Sequence, residues 1–199
     1  MNFRSNLLQG AALALLLPGC AALGGGPAAL DTYELAAPVP EGAGARRART
    51  QILIAEPIAL KQLDGQDIVV KTSPGSIANL EGAQWGDRLP RIVQAKLAES
   101  FQLSGRFGGV GKPGEGLAID HQVATEIRAF EIRVGDGDRA YVELFVKLLN
   151  DRNGVVRASR VFTASVPVAG GGNDAFIAAL DQAFGIAASE IVAWTVSEI

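Results

Sequence analysis

Cysteine, histidine and methionine each occur once in the 199 residues, beside only two tryptophans and two tyrosines. A single thiol, Cys20, excludes an internal disulfide and a cysteine-based metal site. A single imidazole, His121, excludes a multi-histidine metal centre. It is also the only base available to a Ser-His-Asp arrangement. His121 falls within a predicted strand beside Asp120, and strand neighbours point to opposite faces, so Asp120 does not orient it. No serine occupies a G-x-S-x-G elbow. Gly108–Lys112 is glycine-rich but lacks P-loop spacing and the following Ser/Thr. Asp136 and Asp138, in G-D-G-D, lack the rest of a calcium loop and read as a hairpin turn. The sequence therefore assigns no catalytic residue, no metal and no cofactor. Excess positive charge is absent too: the net charge is −3, which argues against a nucleic-acid partner.

Long apolar runs are equally scarce. The one near the N-terminus, Leu7–Leu17, follows Arg4 and has the length of a signal-peptide core, short of the ~20 residues a spanning helix needs. It leads into Leu17-Pro18-Gly19-Cys20, which resembles a bacterial lipobox with Pro18 at a position that usually holds a small residue. The expectation is that residues 1–19 are removed and that Cys20 becomes an acylated N-terminus. Two or three acyl chains would anchor it stably, where one would not. Ala21–Leu30, with Gly24-Gly25-Gly26-Pro27, reads as a flexible tether spanning roughly 15–20 Å. The remaining residues, 31–199, fit one domain. The apolar C-terminal segment, 175–199, is broken by Asp181, Glu190 and Glu198, so no second membrane crossing is expected.

Periodicity sketches the domain. Asp31–Leu35, Gln51–Glu56 and Asp67–Thr72 have strand character. Ala36–Thr50 reads as a loop whose Arg46, Arg47 and Arg49 are solvated or touch anionic lipid or a partner. Trp85, Leu89, Ile92, Val93, Leu97 and Phe101 recur at helical spacing, which predicts a helix over Gln84–Leu103 with Pro90 in its first turn. Phe107–Gly116 is predicted to be a loop. Three alternating strands follow, joined by turns at Gly135–Asp138 and Asn150–Gly154. Asn173 is a predicted N-cap. The last helix carries Phe176, Ile177, Leu180, Phe184, Ala187, Ile191 and Trp194 as its buried stripe. The expected architecture is two-layer α+β: a mainly antiparallel sheet of about five or six strands with two amphipathic helices on one face. Trp85 and Trp194 lie on the helical stripes, so core packing is their default. They are also the candidates for contact with a partner or an acyl chain.

Several features share one order: the lipobox cysteine, Tyr33-Glu34-Leu35, I-L-I-A-E-P at 52–57, L-D-G-Q-D-I-V-V-K at 63–71, and Q-W-G-D-R-L at 84–89. Together they resemble the ABC-type transport auxiliary lipoprotein family. Lys71 replaces the family's usual arginine, and Gly86, Asp87 and Arg88 replace the middle of its tryptophan box. The resemblance implies a non-enzymatic lipoprotein on the periplasmic face of the outer membrane. It would be an accessory to a lipid transport system built from an MCE-domain protein and an ABC permease and ATPase, docking the conduit at that membrane or, alternatively, itself accepting the transported lipid as a periplasmic chaperone. Ala21 after Cys20 fits outer-membrane sorting. Self-association is left open.

Overall fold

In the computed structural model, the described residues are 29–39, 45–135 and 137–199. Cys20, residues 21–28 of its tether and Asp136 lie outside them. The chain forms β1 (Asp31–Tyr33), β2 (Arg47–Ile54), β3 (Ile58–Ala59), a 3-10 turn (Lys61–Leu63), β4 (Asp67–Ser73), β5 (Ser76–Trp85) and α1 (Leu89–Leu103). Then come β6 (Phe107–Gly111), β7 (His121–Arg133), β8 (Arg139–Asn150), β9 (Val156–Pro167) and α2 (Asn173–Glu198).

One strand organises the sheet. Along one edge β7 pairs antiparallel with β8 over its whole length, and β8 pairs antiparallel with β9. The other edge of β7 receives three short strands end to end, all parallel to it. β2 enters at Ile52↔His121, β3 at Ile58↔Glu126 and β4 at Val69↔Glu131. β5 then adds antiparallel to β4, β1 parallel to β5, and β6 parallel to β2. Among the described residues the sheet thus has nine strands and is mixed. That corrects the expected mainly antiparallel sheet of five or six strands. Alternation in a sequence records which face a side chain takes, not which strand lies beside it or in which direction.

Both helices contribute to the core. α2 packs on β7, β8 and β9, and α1 packs on β2, β6 and α2. The buried rows Ala140–Leu148 of β8 and Phe162–Val166 of β9 meet Leu180, Phe184, Ile191 and Val192 of α2 in one continuous cluster. By length and composition α2 is apolar enough to cross a membrane, but half of that stretch is buried inside the fold. It serves here as a core helix. Its C-terminal carbonyls, which carry the negative end of the helix dipole, are met by two arginines. Arg47 donates to the Val196 carbonyl at 3.1 Å, and Arg157 donates to that of Glu198.

Several boundaries differ from expectation, among them the start of β2 at Arg47, inside the expected loop Ala36–Thr50. α1 starts at Leu89, not Gln84, because the backbone turns at Gly86 and Asp87. Pro90 then sits in the first turn, where no amide donor is required. Trp85 therefore closes β5 and does not open a helix. Phe107–Gly111 is a strand, not part of a loop. One of its glycines is needed: a Cβ on Gly108 would lie 2.2 Å from the Ala48 carbonyl oxygen of β2.

Candidate partner-facing surfaces

The strand-turn-helix corner around Q-W-G-D-R-L is held by Arg88. Its guanidinium donates to Glu56 at 3.0 Å and to Asp64, so it ties the start of α1 to the segments before β3 and after the 3-10 turn. These carboxylates raise the Arg88 pKa above its ordinary value, the hydrogen bond to Asp64 contributing most. The Gly65 carbonyl accepts the Leu89 amide at 2.9 Å, and Gln66 Nε2 donates to the Trp85 carbonyl at 3.2 Å. The corner is a bracing joint. It explains why an arginine and an L-D-G turn occur together in the sequence.

The two tryptophans are both interior. Trp85 is 1% exposed and meets Phe130 edge-on at 5.8 Å; Trp194 is 7% exposed and meets Phe162 at 5.5 Å. Neither ring offers a surface to a partner while the core is closed. His121 is half-buried at the start of β7, and its Nδ1 has no hydrogen-bond partner. Asp120 is turned to other work, accepting the Gln51 amide at 3.1 Å and an Arg152 guanidinium N–H at 3.4 Å. Among the described residues no three His, Cys, Asp or Glu side chains gather as a metal site.

A strap precedes β2. The Tyr33 hydroxyl donates to Asp174 at 2.8 Å, the Ala36 amide donates to Asp181 at 2.6 Å, and the Pro38 ring lies over Gly185. Residues 33–38 thus run along the solvent side of α2 from its N-terminus. Val39 and Ile186 flank an open groove of about 540 Å³ there. The bond to Asp174 and nearby carboxylate charge push the Tyr33 pKa up to about 12. The sequence shows Tyr33 and Asp174 only as separate polar residues 141 positions apart.

The second surface is the sheet face opposite the helices. Glu126, Glu131, Tyr141, Glu143, Phe145 and Lys147 project there from β7 and β8, with Thr163 and Ser165 from β9. Each aromatic ring is already covered by an arginine of the same face. Arg128 lies 4.3 Å from the centre of Phe145, and Arg133 lies 3.3 Å from that of Tyr141. Glu131 is buried and shared by Arg133 at 2.8 Å and Lys71 at 3.9 Å. The Tyr141 hydroxyl donates to Glu143 at 2.9 Å, and its pKa is raised, chiefly by burial and then by that bond. Arg128 pairs with Glu126 at 3.2 Å, and Arg139 holds Ser165. Lys71, Ile77, Arg128 and Tyr141 line a concavity of about 380 Å³. On this face Lys71, Arg128, Arg133, Arg139 and Lys147 face three glutamates, a local positive excess in a chain of net charge −3.

Known proteins fit this architecture. A Bradyrhizobium diazoefficiens protein of uncharacterized role is 32% identical over 176 residues, 87% of this chain but only 47% of its own length. This chain thus spans about half the length of that curated relative. The crystal structure of a Xanthomonas campestris protein superposes with a TM-score of 0.77 at 27% identity, covering 84% of this chain and 95% of that one. A PelC dodecamer from Paraburkholderia phytofirmans shares the fold at a TM-score of 0.50 and 11% identity, over 76% of this chain and 93% of its own. Residues 33–192 match the family described as ABC-type transport auxiliary lipoprotein component, from the tyrosine of the strap to the last turns of α2, and the chain belongs to that family.

Proposed function

We propose that this transport-associated lipoprotein is held at the periplasmic face of the outer membrane by acylated Cys20. There it docks the conduit of an MCE-type lipid transport system to that membrane. Residues 1–19 would be its signal peptide and residues 20–30 its tether, with no chemistry performed on the cargo. The family supplies the association with a transport system. One observation favours docking over lipid carriage. The space between sheet and helices is filled by the protein's own side chains: Trp85, Phe130, Phe162 and Phe184 are 0–1% exposed there. A carrier would hold that volume open for acyl chains.

Purification from membranes followed by mass spectrometry of extracted lipid tests this reading. The expected result is the protein's own acyl chains alone, with an MCE-domain protein captured by crosslinking in cells. Stoichiometric free phospholipid would make the domain a carrier instead. Cys20→Ala is expected to leave a folded domain that a high-salt wash releases from the outer membrane. Retention through that wash would defeat the anchor. The mass of the same preparation in solution reads out self-association.

A further inference from the structure

The sheet face opposite the helices has a rim as well as a charged centre. Ile58 and Leu60 are each 68% exposed, and Ile77 is 46% exposed. Ile58 pairs with Glu126 and Ile77 with Lys71, so both side chains stand on this face, and Ile77 lines the concavity. Leu60 follows on the same short segment, with Lys61 next to it. Single aliphatic tips therefore flank a patch where cations outnumber carboxylates.

We infer that this face rests on an anionic lipid surface, the aliphatic tips entering the headgroup boundary and the lysines and arginines meeting lipid phosphates. The pattern fits lipid better than a protein. Protein interfaces concentrate energy in bare aromatic anchors at a dry centre. Here both aromatic rings are capped by the chain's own arginines, and the exposed apolar groups stand apart with charge between them. Shallow aliphatic insertion plus attraction to anionic headgroups is how peripheral surfaces bind membranes. The cations bring long apolar stems that can lie along the boundary while the charged ends reach phosphate. The inference rests on the proposed membrane location and adds an orientation to it: the helix layer and its strap point away from the membrane, free for a partner.

The test exploits the single cysteine. In the full chain with Cys20→Ala, an environment-sensitive fluorophore is attached at Ile58→Cys or, as the control on α2, at Gln182→Cys. Vesicles contain phosphatidylcholine alone or with phosphatidylglycerol. The Ile58→Cys probe is expected to shift to the blue on phosphatidylglycerol vesicles and to be quenched by brominated acyl chains. The α2 probe should stay in water. With the probe moved to Ile77→Cys, Leu60→Ser should weaken binding several-fold and Arg139→Glu about tenfold, and salt should abolish the difference between the two lipids. Vesicle capture without a shift at Ile58 would mean that the N-terminal apolar run alone adsorbs, and would overturn the inference. Equal shifts at both sites, or equal binding to both lipids, would do the same. So would a shift produced only by a purified transport protein. No transport partner is needed for the expected result, so failure here leaves the docking proposal standing.

Discussion

Gly108→Ala offers a sharp test of how β6 is held. The new methyl would lie 2.2 Å from the Ala48 carbonyl oxygen and 2.9 Å from its carbon. Carbon and oxygen normally approach no closer than about 3.3 Å, so β6 must retreat by roughly 1 Å. The obstacle is backbone, and no rotamer change relieves it. A strained but attached strand costs about 1–3 kcal/mol, as overpacking does elsewhere. Full detachment would expose Phe107, now 9% exposed and stacked on Phe101 at 5.3 Å. That forfeits about 1.5–3 kcal/mol of burial and about 0.5–1.5 kcal/mol of ring pairing. The strained route is the less costly one, so a loss of about 1–3 kcal/mol is expected, read from the urea midpoint with the slope unchanged. A fall in the slope would instead report a native state with β6 released. Gly109→Ala is the control, since its methyl would meet only the Gln51 side chain, at 3.4 Å. Equal stability of the two variants would refute the steric argument.

Three further outcomes follow from the same geometry. Phe184→Ala, at a fully buried position packed against Phe130 at 6.2 Å, should cost about 3–5 kcal/mol in urea unfolding. Thr125→Val should be neutral or raise stability by about 1 kcal/mol, because the Thr125 hydroxyl is buried without a partner and valine keeps its shape. Phenolate absorbance should rise later with pH in the folded chain than in urea. Tyr33 titrates near 12 when folded and near 10 when unfolded, so its contribution is complete below pH 10 and is lost as pH climbs towards 12. Asp174→Asn should bring one of the two tyrosine transitions down.

What could be read from the sequence depended on how far apart the interacting residues lie. The stripe of α2 was legible because one helix displays its own period: Ile177, Leu180, Phe184, Ala187, Ile191 and Trp194 are all buried, while Phe176 of the expected stripe is only partly so. The β7–β8–β9 meander was legible because its turns are local. Trp85 misled because it stands four residues before Leu89 and mimics a helical step, although a turn separates them. β6 was hidden by its glycines, of which Gly108 approaches the backbone of β2 closely, a contact absent from local pattern. Parallel docking on β7, the Arg88 joint and the Tyr33–Asp174 bond all join distant segments, and alternation carries no record of partners. Nothing in the local pattern marks Ile58; only its pairing with Glu126 places it on the uncovered face of the sheet.

The sharing of β7 by three earlier strands sets an order of events during synthesis. β2, β3 and β4 leave the ribosome before the strand that completes their hydrogen bonding exists, and each must wait for His121–Arg133. The last third of the chain has mostly local pairings and can fold on its own timetable; the first third cannot. Such distant pairings slow folding and lengthen the time that unpaired strand edges are exposed. The N-terminal strands are therefore where a holding chaperone would have most to protect. A chain halted before residue 121 should be much more prone to aggregate than one halted early in α2.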